Sequence, residues 1–190
     1  MRKIVAGLFI SLDGVVERPD QWHFGYFSPE MGEIVGGQMG EADTMLLGRQ
    51  TYQEFASYWP QQDSSVPPAD FMNGVQKVVV SNTLKDPGWT PVTVISGDVN
   101  GQLKALKEQP GGDIAITGSP TLVRTLQRDG LLDELRLLVH PIVVGKGKRL
   151  FDGAEESTGL ALLSTKEIAN GVLYQVYGPA PIPPNEVPEM

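Results

Sequence analysis

Two short segments carry the residue types that hold anions. Leu46-Leu47-Gly48-Arg49-Gln50-Thr51 places a glycine after an apolar run, followed by a guanidinium and a hydroxyl. Ile114-Ala115-Ile116-Thr117-Gly118-Ser119-Pro120-Thr121 repeats that order with hydroxyl residues. If each apolar run is a buried strand and each following stretch opens a helix, the first-turn N–H groups and the helix dipole favour a phosphate there. Glycine lets backbone come close to such a ligand. Taken singly, a glycine after a strand is ordinarily just a turn, but two such junctions in one sheet suit the two phosphates of a dinucleotide.

Other phosphate motifs are missing. No Gly-x-Gly-x-x-Gly follows a strand: Gly145-Lys146-Gly147-Lys148-Arg149-Leu150 comes near, with Leu150 where the third glycine belongs, and no Walker-type sequence occurs. The chain has no cysteine and two distant histidines, His23 and His140, so neither a thiolate nucleophile nor a metal site is expected. A net charge of -8 offers no field for a nucleic-acid backbone. Lys146, Lys148 and Arg149 form one compact basic cluster, either a phosphate-attracting loop or a solvated one.

The elements that must position these residues alternate along the chain. With 190 residues and 41% hydrophobic content, one domain over 1–178 and a Pro-rich tail over 179–190 are expected. The basic and apolar start resembles a signal peptide, but Ser11-Leu12-Asp13-Gly14 interrupts it, so residues 2–10 read as a buried strand of a cytoplasmic protein without a membrane span. Further strands are expected at 43–47, 76–81, 91–95, 113–117 and 133–144. Ser28 and Pro29 start a helix with a Met31, Ile34, Val35 and Met39 stripe. A second helix opens after Gly48 and presents Tyr52, Phe55, Ala56 and Trp59 inward. A third starts near Ser119-Pro120, buries Leu122, Val123 and Leu126, and ends at Gly130. Asn170-Gly171 between two β-rich runs predicts a hairpin with a type I′ turn. The result is an α/β fold: one mixed, mostly parallel sheet of about eight strands, a C-terminal antiparallel hairpin, and helices on both faces.

Met45 to Tyr52 resembles the strand-Gly-Arg-x-Thr start of a helix in dihydrofolate reductases. Ser11-Leu12-Asp13-Gly14, Thr117 to Leu122, and Leu131-Leu132-Asp133-Glu134-Leu135 leading to Pro141 through Phe151 resemble the reductase domain of bacterial riboflavin biosynthesis and its stand-alone relatives. The resemblance covers residues 2 to 178. It implies a dihydrofolate reductase-like three-layer fold, NADPH as hydride donor, a small pterin-like, phosphoribosylaminopyrimidine-like or other conjugated acceptor, and a homodimer. By motif matching, Gly48, Arg49, Gln50 and Thr51 would hold one side of the pyrophosphate, and Gly118, Ser119, Thr121 and Leu122 the other. Ser81 and Asn82, with Thr83 or Lys85, would face the adenosine ribose and its 2′-phosphate; no acid in 81–85 repels it, which favours NADPH over NADH. Alternatively Ser81 and Asn82 merely end a strand.

On the substrate side, Glu30 and Glu33 read as a solvated helix face, and Asp13 is the expected catalytic and substrate-contacting residue, or else a turn aspartate. Trp22, His23, Phe24, Tyr26 and Phe27 form a dense aromatic loop over 15–27. Trp22 and Phe24 are expected to cover a planar substrate; the loop could equally pack over the sheet end or against a second subunit. Without a clear proton donor, a non-catalytic nucleotide-binding or dimeric scaffold is the alternative to a reductase.

Overall fold

A computed structural model describes residues 1–154 and 156–184. Residues 185–190 of the expected tail lie outside the described residues. Eight strands form one sheet: β1 (Ile4–Ser11), β2 (Ala42–Gly48), β3 (Gln76–Val80), β4 (Val92–Ile95), β5 (Asp113–Ile116), β6 (Glu134–His140), β7 (Leu160–Glu167) and β8 (Leu173–Pro179). Their order is β4-β3-β2-β5-β1-β6-β8-β7. The first six run parallel, and β8 and β7 pair antiparallel at one edge. The helices are α1 (Pro29–Glu41), α2 (Arg49–Ala56), α3 (Ala69–Gly74), α4 (Val99–Glu108) and α5 (Pro120–Arg128). No helix among the described residues is long and apolar enough to cross a membrane.

Strand alternation divides the core into layers. Ile4, Ala6, Leu8 and Ile10 of β1 and Leu46 of β2 join Leu103 of α4 and Leu122, Val123 and Leu126 of α5. Met45 and Leu47 point the other way, to Tyr52 of α2 and Met72 of α3. On that same side Phe9 and Leu138 meet Met31 of α1. Strands covered on both faces must be apolar where they are covered, which is why Ile4 to Ile10 of β1 and Met45 to Leu47 of β2 are continuous apolar runs.

Several expectations need correction. The segment between β4 and β5, assigned no element from sequence, forms α4, started by Asp98 accepting from the Gly101 N–H. The long strand expected over 133–144 stops at His140, because Pro141 cannot continue the ladder. Helix α2 ends at Ala56, so Trp59 packs inward from a separate turn at Trp59–Gln61. Of the α1 stripe, Met31 is buried, Ile34 and Val35 pack beside it, and Met39 is absent from the core clusters. At the hairpin tip, Asn170 (φ 64) and Gly171 (φ 71) are both left-handed, as a type I′ turn requires.

Lys77 of β3 is fully buried. Its Nζ donates to Asn73 O at 2.8 Å and sits 4.3 Å from the centre of the Trp89 ring, and no carboxylate pairs with it among the described residues. Burial pushes its pKa down to about 8. Between that value and the unfolded value near ~10.4, the unfolded chain binds more protons. Stability should therefore rise with pH through this window, by up to about 3 kcal/mol. Denaturant midpoints measured between pH 7 and 10.5 should show this rise in the wild type and lose it in Lys77→Met.

Candidate functional site

Because six strands are parallel, their C-terminal ends share one edge, and every candidate loop is there. The β2–β5 ladder reaches the Met45–Ala115 pair, three residues before Gly48 on one strand and Gly118 after the other. The two junctions are fastened together. Ser119 Oγ accepts from the Gly48 N–H at 2.9 Å and donates to Thr51 Oγ1 at 2.8 Å. A Cβ at Gly118 would lie 3.1 Å from the Thr51 methyl, and one at Gly48 would lie 3.3 Å from Ser119 Oγ. Gly118 (φ +76) and Ser119 (φ 53) are consecutive left-handed residues.

The capping pattern is asymmetric. Ser28 caps α1 and Asp98 caps α4 with side-chain oxygens. Neither α2 nor α5 has a side-chain cap: the N-cap of α2 is Gly48, which has no side chain, and the Ser119 hydroxyl at the N-cap of α5 is turned across to the other junction. The first-turn amides of Arg49, Gln50 and Thr51, and those of Thr121 and Leu122, are thus left uncapped by side chains on adjacent helices. Gly48, by contrast, has its N–H taken by Ser119, so its part is to admit close contact between the junctions. Arg49 is exposed and touches Gln53 Oε1 at 3.4 Å.

At the end of the neighbouring β3, Ser81 Oγ accepts from the amides of Thr83 (3.1 Å) and Leu84 (2.9 Å), closing a turn that leaves Asn82 and Thr83 exposed. On the other flank, Asp13 is tied into the protein. Its carboxylate accepts from Ser11 Oγ, Val144 N, Gly145 N and an Arg149 nitrogen at 2.7 to 3.3 Å. Hydrogen bonds from Ser11 and from the Val144 and Gly145 amides hold its pKa far below the usual carboxylate range. Asp13 thus carries no proton at neutral pH; it clamps the 141–150 loop. Lys148 of that loop reaches Gln50 Oε1 (3.3 Å) and Glu17 (3.5 Å), and α5 grips it through Arg124 to Leu150 O (2.9 Å). Two of the three charges in the basic cluster are therefore paired within the protein, and Lys146 is exposed.

Asp13→Asn tests this clamp. An amide cannot accept from both loop amides and still pair with Arg149, so the thermal midpoint at pH 7 should fall by several degrees and the Val144 and Gly145 amides should exchange faster. Because the folded pKa is depressed, the wild-type advantage exists above the unfolded value of ~3.9 and fades as pH drops below it. The gap between the melting curves of the two proteins should be constant from pH 7 to 5 and narrow, without closing, towards pH 3.

Residues 2–174 match the RibD C-terminal domain. The chain belongs to that family. A relative, the uncharacterized protein YyaP of Bacillus subtilis (strain 168), is 28% identical over 180 residues, covering 93% of this chain and 94% of its own length. A Thermotoga maritima diaminohydroxyphosphoribosylaminopyrimidine deaminase/5-amino-6-(5-phosphoribosylamino)uracil reductase superposes with a TM-score of 0.68 at 13% identity, covering 94% of this chain and 57% of that one. Dihydrofolate reductase from Enterococcus faecalis, complexed with NADP(H), superposes with a TM-score of 0.58 at 15% identity, covering 93% and 96%. The RibD C-terminal domain and its dihydrofolate reductase-like fold support a reductase-type function.

Sequence reasoning missed what this RibD C-terminal domain does with its histidines. His140, at the end of β6, and His23, in the aromatic loop, are both buried. Phe9, Trp22, His23 and Tyr26 all present their rings edge-on to His140, with centroids 5.3 to 6.1 Å away. His23 stacks on Phe9 at 4.5 Å and carries Phe24 on its other side at 4.2 Å. Trp22 is half-buried, donating from Nε1 to Glu17 O, and Phe24 is 66% exposed. Nothing short-range in the sequence signals this pairing.

Proposed function

We propose that the protein is an NADPH-dependent reductase of a small conjugated acceptor. The observation that carries this reading is the pair of uncapped helix starts, α2 and α5, fastened side by side by Ser119 at one sheet edge. Arg49 and the amides of Gln50 and Thr51 would hold one phosphate of the pyrophosphate, and the amides of Thr121 and Leu122 the other. Asn82, Thr83 and the Ser81 hydroxyl lie one strand further out, where the ribose and its 2′-phosphate would follow. The cofactor supplies hydride; the protein's share is to bind it, orient it and exclude water.

Trp22 and Phe24 are the proposed acceptor contacts. Asp13 shapes the rim of that region through the 141–150 loop, in place of a proton-donating role. The clamped Asp13 is also the observation that favours the second reading, a nucleotide-binding scaffold without turnover. A homodimer is part of the proposal: β7 is an edge strand with Leu162 and Leu163 exposed, and light scattering should return twice the chain mass.

Titration with NADPH and NADH, followed by nicotinamide fluorescence, tests the cofactor site. Saturation by NADPH with much weaker binding of NADH is expected. Binding of neither would remove the reductase reading. Saturation without loss of reduced-nicotinamide absorbance over a panel of pterin-like, pyrimidine-like and other conjugated acceptors would favour the scaffold.

A further inference from the structure

We propose that residues 17–27 form a proton-operated lid, closed over the C-terminal ends of β1 and β6 while His23 and His140 are neutral and opened when the pair takes up protons. The segment is anchored at both ends. Val16 N donates to Lys148 O at 3.0 Å, and Ser28 caps α1 by accepting from Met31 N. Between these anchors the buried residue is His23, its ring stacked on Phe9 and against Phe24.

The rings that hold the lid down are also its sensor. His140 Nδ1 lies 2.8 Å from Leu138 O; a carbonyl only accepts, so Nδ1 carries the proton and Nε2 is a bare acceptor. His140 is 0% exposed and His23 7%, and neither His140 Nε2 nor His23 Nδ1 makes a hydrogen bond among the described residues. A proton on either nitrogen would place a charge without a partner inside an aromatic cage, with the second imidazole 6.1 Å away. Since His23 lies on a short segment, releasing that segment hydrates both rings at far lower cost than unfolding the sheet.

The charged groups around the pair offer little compensation. Asp20, on the lid's own turn at Pro19–Gln21, is the one carboxylate acting on either ring among the described residues, and Arg18 already pairs with it. Glu30 at the start of α1 is paired to Lys166 of β7, and Asp13 beyond β1 is held by the 141–150 loop. Tyr26 gives its hydroxyl to Pro141 O. Burial lowers the pKa of both histidines, with each other's charge adding to this at His23. A depressed folded pKa means that closure is favoured above the ordinary value of ~6.5 and progressively lost below it.

Amide hydrogen exchange of the cofactor-free protein reads the lid directly, independently of the reductase reading. After correction for the intrinsic rate, each histidine should raise the open population about tenfold between pH 7.5 and 5.5, and the pair about a hundredfold. The amides of Trp22, His23, Tyr26 and Phe27, which donate within the closed segment, should report this while those of β1 and β6 stay protected. His23→Phe keeps a flat ring in the stack and should leave about a tenfold response, from His140 alone. With two histidines in the chain, proton NMR of the wild type gives two Hε1 resonances, one for each ring. Unchanged lid protection from pH 7.5 to 5.5, a full response in His23→Phe, or histidines that protonate near ~6.5 under a lid that stays protected would each overturn the proposal.

Discussion

Arg49→Glu is expected to weaken NADPH binding by about two orders of magnitude while leaving the fold intact. Arg49 opens α2 on the protein surface, and its long contact with Gln53 contributes little to stability. A glutamate in the first turn suits the helix dipole, so the helix itself should not suffer. The ligand would lose a charge-assisted hydrogen bond worth ~1.5–3 kcal/mol and gain a repulsive charge beside its pyrophosphate. Each ~1.4 kcal/mol is a factor of ten in affinity. Fluorescence titration at low and moderate salt measures this. Equal affinity in the two proteins would mean that Arg49 is not a pyrophosphate partner.

Gly118→Val should remove both the site and much of the stability. At φ +76 an L residue carries a strain of ~1–2 kcal/mol. The new Cβ would lie 3.1 Å from the Thr51 methyl, and any relief must move the helix start that Ser119 bonds. A loss of ~2–4 kcal/mol in unfolding free energy, with no measurable NADPH saturation, is expected. Gly130→Ala is the control. Gly130 sits just past the other end of α5 with φ +67 and open space around it, so it carries strain without crowding. Denaturant unfolding should show Gly130→Ala losing ~1–2 kcal/mol and retaining cofactor affinity. If the two variants behave alike, crowding against Thr51 is not what matters at Gly118.

What could be read from the sequence follows from the range of the forces involved. The parallel strands announce themselves because burial on both faces demands uninterrupted apolar runs, as in Ile4 to Ile10 and Met45 to Leu47. The helix starts at Ser28-Pro29 and after Gly48 and Gly118 are local punctuation, and the hairpin tip is fixed by Asn170-Gly171. Helix α4 escaped notice because Gly101 sits within it and its fully buried apolar residue is Leu103 alone. The site was visible as types and not as connections. Gly48 and Ser119 are 71 positions apart, and Asp13 meets Val144 across 131. Asp13 was expected to face a substrate, yet two backbone amides far along the chain occupy its carboxylate. The same distance hides the histidine cage: His23 and His140 each look like ordinary packing until the fold brings their rings together.

The strand order also sets a schedule for synthesis. β1 pairs only with β5 and β6, so during synthesis this strand has no strand partner until Asp113 and beyond are made. At about 5–20 residues per second, that delay is about 5–20 s. Throughout it an apolar strand destined for the centre of the sheet has two bare edges, and the nascent chain must shelter it by other means. The insertion of β5 between β1 and β2, which brings the Gly48 and Gly118 junctions together, is thus the event that ends this exposed interval.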